Sequence, residues 1–198
     1  MNNQNLLRVL VNPFERIAGL KALIAGLIII VITIIIGNNS GVHFDGVLDI
    51  HLNSQPIPLI QDFIMQGLSL ATLILLIVIA GIIWSKSFRI IDIIGTTFLA
   101  RFPFLFSSIV GYFLKSPNIS SVSDIDALLS DANALHNLII LSLWGLITFF
   151  PIIIWYLIIQ YNAYKVSLGI SKKIAVLSCI AIIFIGEIIS TVLIMLIL

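Results

Sequence analysis

"ALIAGLIIIVITIII", residues 22–36, decides the fold. It holds no charged residue, and only Gly26 and Thr33 interrupt its aliphatic side chains. A helix at the surface of a soluble domain keeps a polar face. This run has none, so its solvent is lipid. "LATLILLIVIAGII", residues 70–83, repeats the pattern. The composition agrees: 60% of residues are hydrophobic and 10% charged, against about 45–50% and about 25% in soluble domains. Such a chain has too little polar surface to cover a soluble globule.

A bilayer core of about 30 Å takes roughly 20 helical residues to cross. The apolar runs predict five spans at Ile17–Gly37, Leu59–Trp84, Ile90–Leu114, Leu135–Ile159 and Ile174–Leu198. These runs are continuous, without the polar–apolar alternation of a membrane β-barrel strand. No small-x-small cleavage site follows the first run, so it reads as a retained span rather than a signal peptide. The expected fold is all-α: a polytopic membrane protein, one five-helix domain over residues 1–198, with a short segment (residues 1–16) before the first span.

Lys and Arg in short loops set the orientation. Arg8, Arg16 and Lys21 precede or open span one; Lys86 and Arg89 join spans two and three; Lys165, Lys172 and Lys173 lie between spans four and five. The opposite side has Lys115 beside Asp45, Asp49, Asp124, Asp126 and Asp131. The expected topology is a cytoplasmic N-terminus and a C-terminus outside. A formal net charge of +1, with no concentrated basic stretch, excludes a polybasic nucleic-acid binder. Cys179 is the only cysteine, so no internal disulfide forms.

Local signals refine this plan. "NPFER" reads as a helix start, with Asn12 as N-cap, Pro13 in the first turn and Glu15 three residues after the Asn. "LLRVL" before it suits the inner interface. In the second outer loop, "SVSDIDALLSD" reads as a short helix capped by Ser123. Asn38 and Asn118 each open an outer glycosylation sequon, which matters only in a eukaryotic host.

Small and polar residues recur at helical spacing, as helices that pack closely in lipid require. The expected inward stripes are Ala22, Gly26, Ile29, Thr33 and Gly37 in span one, and Asp62, Gln66 and Ser69 in span two. In span three they are Asp92, Thr96, Ala100, Pro103, Ser107 and Gly111. Span four contributes Trp144, Thr148, Pro151 and Trp155, and span five Ala175, Cys179, Gly186 and Ser190. Pro103 and Pro151 are candidate kinks.

Two charges fall deep inside spans, away from their ends: Arg101 and Glu187. Each costs several kcal/mol unless it faces inward and pairs; insertion scales give roughly 2.5–3.5 kcal/mol for Arg at a helix centre. Arg101 lies twelve residues beyond Arg89, and Glu187 fourteen beyond Lys173, so both reach about 18–21 Å from the inner edge. The expectation is an Arg101–Glu187 ion pair. Asp62 competes less well, because its depth and lean differ, and the Leu99 carbonyl freed by Pro103 is a third option. Asp92, at the inner edge of span three, is expected to cap its helix rather than pair with Lys86 or Arg89, because a carboxylate near a helix N-terminus is stabilised there.

"GVHFDGVLDIHL", residues 41–52, places His43, Asp45, Asp49 and His51 within nine residues. Imidazole and carboxylate are transition-metal ligands, but the spacing matches no known site. The alternating Phe44, Val47, Leu48 and Ile50 suit a segment lying on the outer interface, and that reading is preferred. No phosphate loop, HExxH, CxxC or G-x-S-x-G occurs, and the three His (the third is His136) lie near the outer face. No catalytic residue or cofactor is therefore expected, and the chain reads as a non-enzyme.

"NPFERI" (12–17), "IDIIGTTFLARFP" (91–103), and Trp155 followed by "YNAYKVSLGISKKIAV" (161–176) together resemble the Ypt-interacting-protein (Yip) domain family in its bacterial form. The resemblance covers almost the whole chain and implies five spans, a cytoplasmic N-terminus and, for a bacterial member, the inner (plasma) membrane. Eukaryotic members associate with Rab-type GTPases and with one another. Rab binding is not carried over, because only about 16 residues stand before span one here. The function expected is a membrane-organising scaffold whose partners are the bilayer, further copies of itself or other membrane proteins. The alternative is a small transporter or channel that uses Arg101 and Glu187.

Overall fold

A computed structural model describes residues 8–53, 57–114 and 132–198. Lys115, the acids Asp124, Asp126 and Asp131, the helix expected at Ser123 and the sequon at Asn118 lie outside the described residues.

The described chain is helical apart from one short strand pair. A 3-10 turn, Pro13–Glu15, precedes α1 (Gly19–Ser40), β1 (Val42–His43), β2 (His51–Leu52) and α2 (Leu59–Trp84). Then follow α3 (Ile90–Ala100), α4 (Phe104–Gly111), α5 (Ala132–Leu168) and α6 (Lys172–Ile197). Five segments are long and apolar enough to cross a membrane, α3 and α4 counting as one.

Helix ends follow local chemistry. Gly41 takes a left-handed φ of 76° and stops α1, and Gly169 does the same after α5 at φ 61°. Span four therefore continues nine residues past its expected end at Ile159, and Lys165 sits in the last helical turn rather than in a loop. "NPFER" forms only the 3-10 turn, with the Asn12 amide bonded to the Glu15 carboxylate at 3.1 Å in place of a cap.

Span three is interrupted at the candidate kink, Pro103. It breaks at Arg101–Pro103 into α3 and α4. Pro103 has no N–H for an i→i−4 bond, and the chain crosses the gap on tighter i→i−3 bonds: Arg101 N–H to Phe98, Phe102 N–H to Leu99 and Phe104 N–H to Arg101. The other proline differs. Pro151 is exposed within the continuous helix α5.

Glycines set the closest crossings. A Cβ on Gly26 would stand 2.5 Å from the Leu99 amide nitrogen, and one on Gly95 would stand 2.6 Å from the Gly19 carbonyl. Backbone thus packs on backbone where α1 crosses α3. Phe14 fills the space beside Ala22, Leu99, Ala100, Ile159 and Ala163, tying the N-terminal segment to the bundle. The Leu10 carbonyl accepts from Trp155 Nε1 and the Val11 carbonyl from Asn162 Nδ2, both at 2.9 Å.

The small-residue stripes of spans one, two, three and five face inward, with Ile29 and Asp92 half-buried. The stripe expected in span four does not. Trp144 and Pro151 are exposed, and Thr148 and Trp155 half-buried. α5 instead buries Phe149, Tyr156, Ile159, Gln160, Ala163 and Tyr164. Bulky amphipathic indoles gain little from close helix contact, and the face carrying Ala163 lets neighbours approach. Hydroxyl pairs fix this face: Thr96 with Ser167 at 2.7 Å, and Tyr164 with Ser178 at 2.8 Å.

Candidate functional site: a loop clasped inside the bundle

Residues 41–52, expected to lie along the outer interface, instead turn their apolar side chains into the bundle. β1 and β2 pair antiparallel, Val42 opposite Leu52 and His43 opposite His51, and project the tip between the helices. Val42, His43, Phe44, Gly46 and Val47 are buried. Val47 joins Leu73, Ile77 and Ile183 in the largest apolar cluster. Phe44 stacks on Phe104 with ring centroids 5.3 Å apart. The alternating apolar residues that suggested a lipid-facing segment are anchors into the protein.

Irregular backbone within a membrane bundle must find protein partners for its polar groups. The partners here are the two intramembrane charges. Arg101 Nη1 donates to the Val47 carbonyl at 2.9 Å. Leu48 N–H donates to Glu187 Oε2 at 2.7 Å, and the Val47 N–H faces the same carboxylate. The Val47 carbonyl and the Leu48 N–H belong to one peptide unit. Its oxygen points at the cation and its N–H at the anion, so both charges act favourably on one dipole.

The expected direct Arg101–Glu187 ion pair is therefore absent: a peptide stands between them. The Arg101 side chain does not turn to the Leu99 carbonyl either; that oxygen accepts from the backbone, with Phe102 N–H at 3.2 Å. Gly46 is what lets the carboxylate approach, because a Cβ there would collide with Glu187 Oε1.

Arg101 is 1% exposed. Its guanidinium carbon lies 5.0 Å from the Phe104 ring centroid and 5.1 Å from that of Tyr156, a cation–π arrangement. Its Nε and Nη2 have no protein partner, nor do the Tyr156 hydroxyl and the Gln160 amide. Sequence reading missed Tyr156 and Gln160; their spacing of four, continued by Tyr164, was the available signal.

Asp62, the weaker candidate for Arg101, meets His43 instead. His43 Nδ1 and Asp62 Oδ1 are 2.7 Å apart, both side chains buried. Asn38 Nδ2 donates to Asp62 Oδ2 at 2.7 Å and to the Ile57 carbonyl at 2.8 Å. The end of α1, the hairpin and the start of α2 are thus joined at one carboxylate. Asp92 lies in the first turn of α3 but does not cap it: Arg89 holds the N-cap position and no side-chain cap bond forms. Asp92 Oδ2 lies 3.8 Å from Arg89 Nε, so the pairing set aside on sequence accompanies the helix-end placement.

The four-residue metal set does not assemble, because His43 is committed to Asp62. Asp45, Asp49 and His51 do converge, with one ligand atom from each within 4.8 Å of the others. His51 Nδ1 is 2.7 Å from Asp45 Oδ1, and Nε2 is 3.7 Å from Asp49 Oδ2. The hydrogen bond to Asp45 raises the His51 pKa above its ordinary 6.5, partial burial opposes this, and the charges of Asp45, Asp49 and Glu187 add to the rise. A ring held between two carboxylates favours the imidazolium, which competes with a metal for the same nitrogens.

No family model, curated protein or solved structure matches this chain.

Proposed function

We propose that this protein is a non-catalytic membrane-organising scaffold of the Yip type that acts through lateral helix contacts. In this reading the N-terminus is cytoplasmic, the C-terminus outside and the membrane a bacterial inner membrane. One observation carries the proposal: Arg101 and Glu187 are both engaged by the protein's own Val47–Leu48 peptide. Intramembrane charges usually mark a substrate path; these hold a loop. The sequence resemblance and the basic residues gathered at one end of the bundle support the same reading. The outer half of α5 supplies a surface for neighbours, since Ile139, Leu143, Leu146, Ile147 and Phe150 all face away from the bundle.

Reconstitution tests it. Liposomes carrying the protein should pass no ion from a broad panel faster than empty liposomes. Cysteines at Ile139 or Leu143 should cross-link to a defined neighbour in native membranes, either a second copy or another membrane protein. Flux that disappears with Arg101→Gln would replace the scaffold with a transporter.

That transporter reading has a specific support of its own. Span three is broken at Arg101, as helices lining transport sites are. The unpartnered polar atoms of Arg101, Tyr156 and Gln160 suit water or a small solute.

A further inference from the structure

We propose that the groove between α5 and α6 binds one anionic phospholipid, its phosphate at Lys172 and one acyl chain lying along α6 toward Leu48. The groove has a volume of about 450 Å³. It opens sideways on the bundle. Its walls are apolar: Leu157 and Ile158 on α5, and Val176, Ile180 and Phe184 on α6. Lys172, at the first turn of α6, is the single charged residue among its lining.

The dimensions fit an acyl chain. Phe184 stands twelve residues beyond Lys172, about 18 Å along the helix. That is slightly more than half of a 30 Å bilayer core, the depth one leaflet spans. The groove ends at Leu48, beside the peptide held by Arg101 and Glu187. An apolar furrow facing hydrocarbon takes hydrocarbon, and this furrow is long in the direction in which lipid chains run.

Charge selects the head group. Lys173 and Lys165 accompany Lys172 at this end, and no Asp or Glu occurs from Trp155 to Gly186. A basic residue near the membrane surface favours anionic lipid by about fivefold. A zwitterionic head group brings its own cation to the same lysines and gains less. A second copy of the chain would gain at Lys172 only by bringing an acidic residue to it. Of the acidic residues described on this chain, Asp45, Asp49 and Asp62 sit at its opposite end, Glu187 is engaged by the Leu48 N–H, and Glu15 and Asp92 already face an arginine.

The test uses the full chain, purified in mild detergent and exchanged into mixed micelles of phosphatidylglycerol and phosphatidylcholine. Native mass spectrometry reads the bound lipid. The expected result is one retained phosphatidylglycerol per chain, with Lys172→Gln reducing its preference over phosphatidylcholine about fivefold. Ile180→Trp, which fills the groove, should abolish retention of both lipids. Unchanged helical circular dichroism and a single elution peak verify that each variant folds. Should Ile180→Trp fail to fold, Val176→Phe fills the same groove. Equal retention of the two lipids overturns the proposal, as does displacement of the lipid by inorganic phosphate alone. A dimer that retains no lipid and dissociates with Ile180→Trp also overturns it and assigns the groove to a second copy. Liposome flux, which decides between scaffold and transporter, is a separate measurement, so either proposal can fail alone.

Discussion

Arg101 and Glu187 meet only through the peptide that joins Val47 to Leu48, the arginine on its oxygen and the glutamate on its nitrogen. The arrangement has a direction. Exchanging the charges would set a carboxylate against a carbonyl and a guanidinium against an N–H. The double variant Arg101→Glu with Glu187→Arg should therefore be no more stable than either single variant, whereas a direct ion pair would be rescued. Removing one charge should cost about 3–5 kcal/mol, read as thermal unfolding in detergent. Recovery in the double variant would restore the ion pair.

Gly46→Ala tests the same contact with one methyl group. The added carbon meets Glu187 Oε1, and overpacking of this kind costs about 1–3 kcal/mol. Gly67→Ala on α2 is the control, since nothing lies within 4 Å of its added carbon. Helix propensity predicts a neutral or slightly stabilising change there. Equal melting temperatures for the two variants would separate Glu187 from the loop.

Asp62→Ala should destabilise more than its first-turn position suggests. It leaves both His43 and Asn38 without their carboxylate partner. Loss of a buried charged hydrogen-bond partner costs about 2–4 kcal/mol. A loss below ~0.5 kcal/mol in the same unfolding assay would mean that the hairpin does not depend on this link.

His51 supplies a pH dependence of known sign. Its folded pKa stands above the ordinary 6.5, chiefly through the hydrogen bond to Asp45. A raised folded pKa favours the protonated folded state. The added stability is full below pH 6.5 and fades as pH rises through the folded value. The difference in melting temperature between wild type and His51→Asn should shrink across that window. Solvent screening keeps it small, because the His51 side chain is 56% exposed. A difference that grows with pH contradicts the assignment.

The sequence revealed the spans but not the loop. Long apolar runs such as 22–36 state their environment directly, since lipid admits a helix with no polar face. The small-residue stripes of spans one, two, three and five were legible for the same reason. Span four misled because its Trp and Pro residues were read as inward markers, while the closest contacts belong to Ala163 and its neighbours. Arg101 and Glu187 were recognisable as an inward-facing couple. Their true partner was invisible because it is backbone, which carries no residue identity. The alternation at Phe44, Val47, Leu48 and Ile50 fits a lipid-facing or a protein-facing strand equally. Only the supply of hydrogen-bonding side chains from α3 and α6 separates the two.

The clasp also imposes an order on biosynthesis. Val47 and Leu48 leave the ribosome well before Arg101 and long before Glu187. Until α6 is in the bilayer, the hairpin tip lacks the acceptor for its Leu48 N–H and cannot settle within the bundle. α6 thus acts as a latch on the turn between α1 and α2, and a nascent chain stalled before residue 187 would keep that turn out of the bundle.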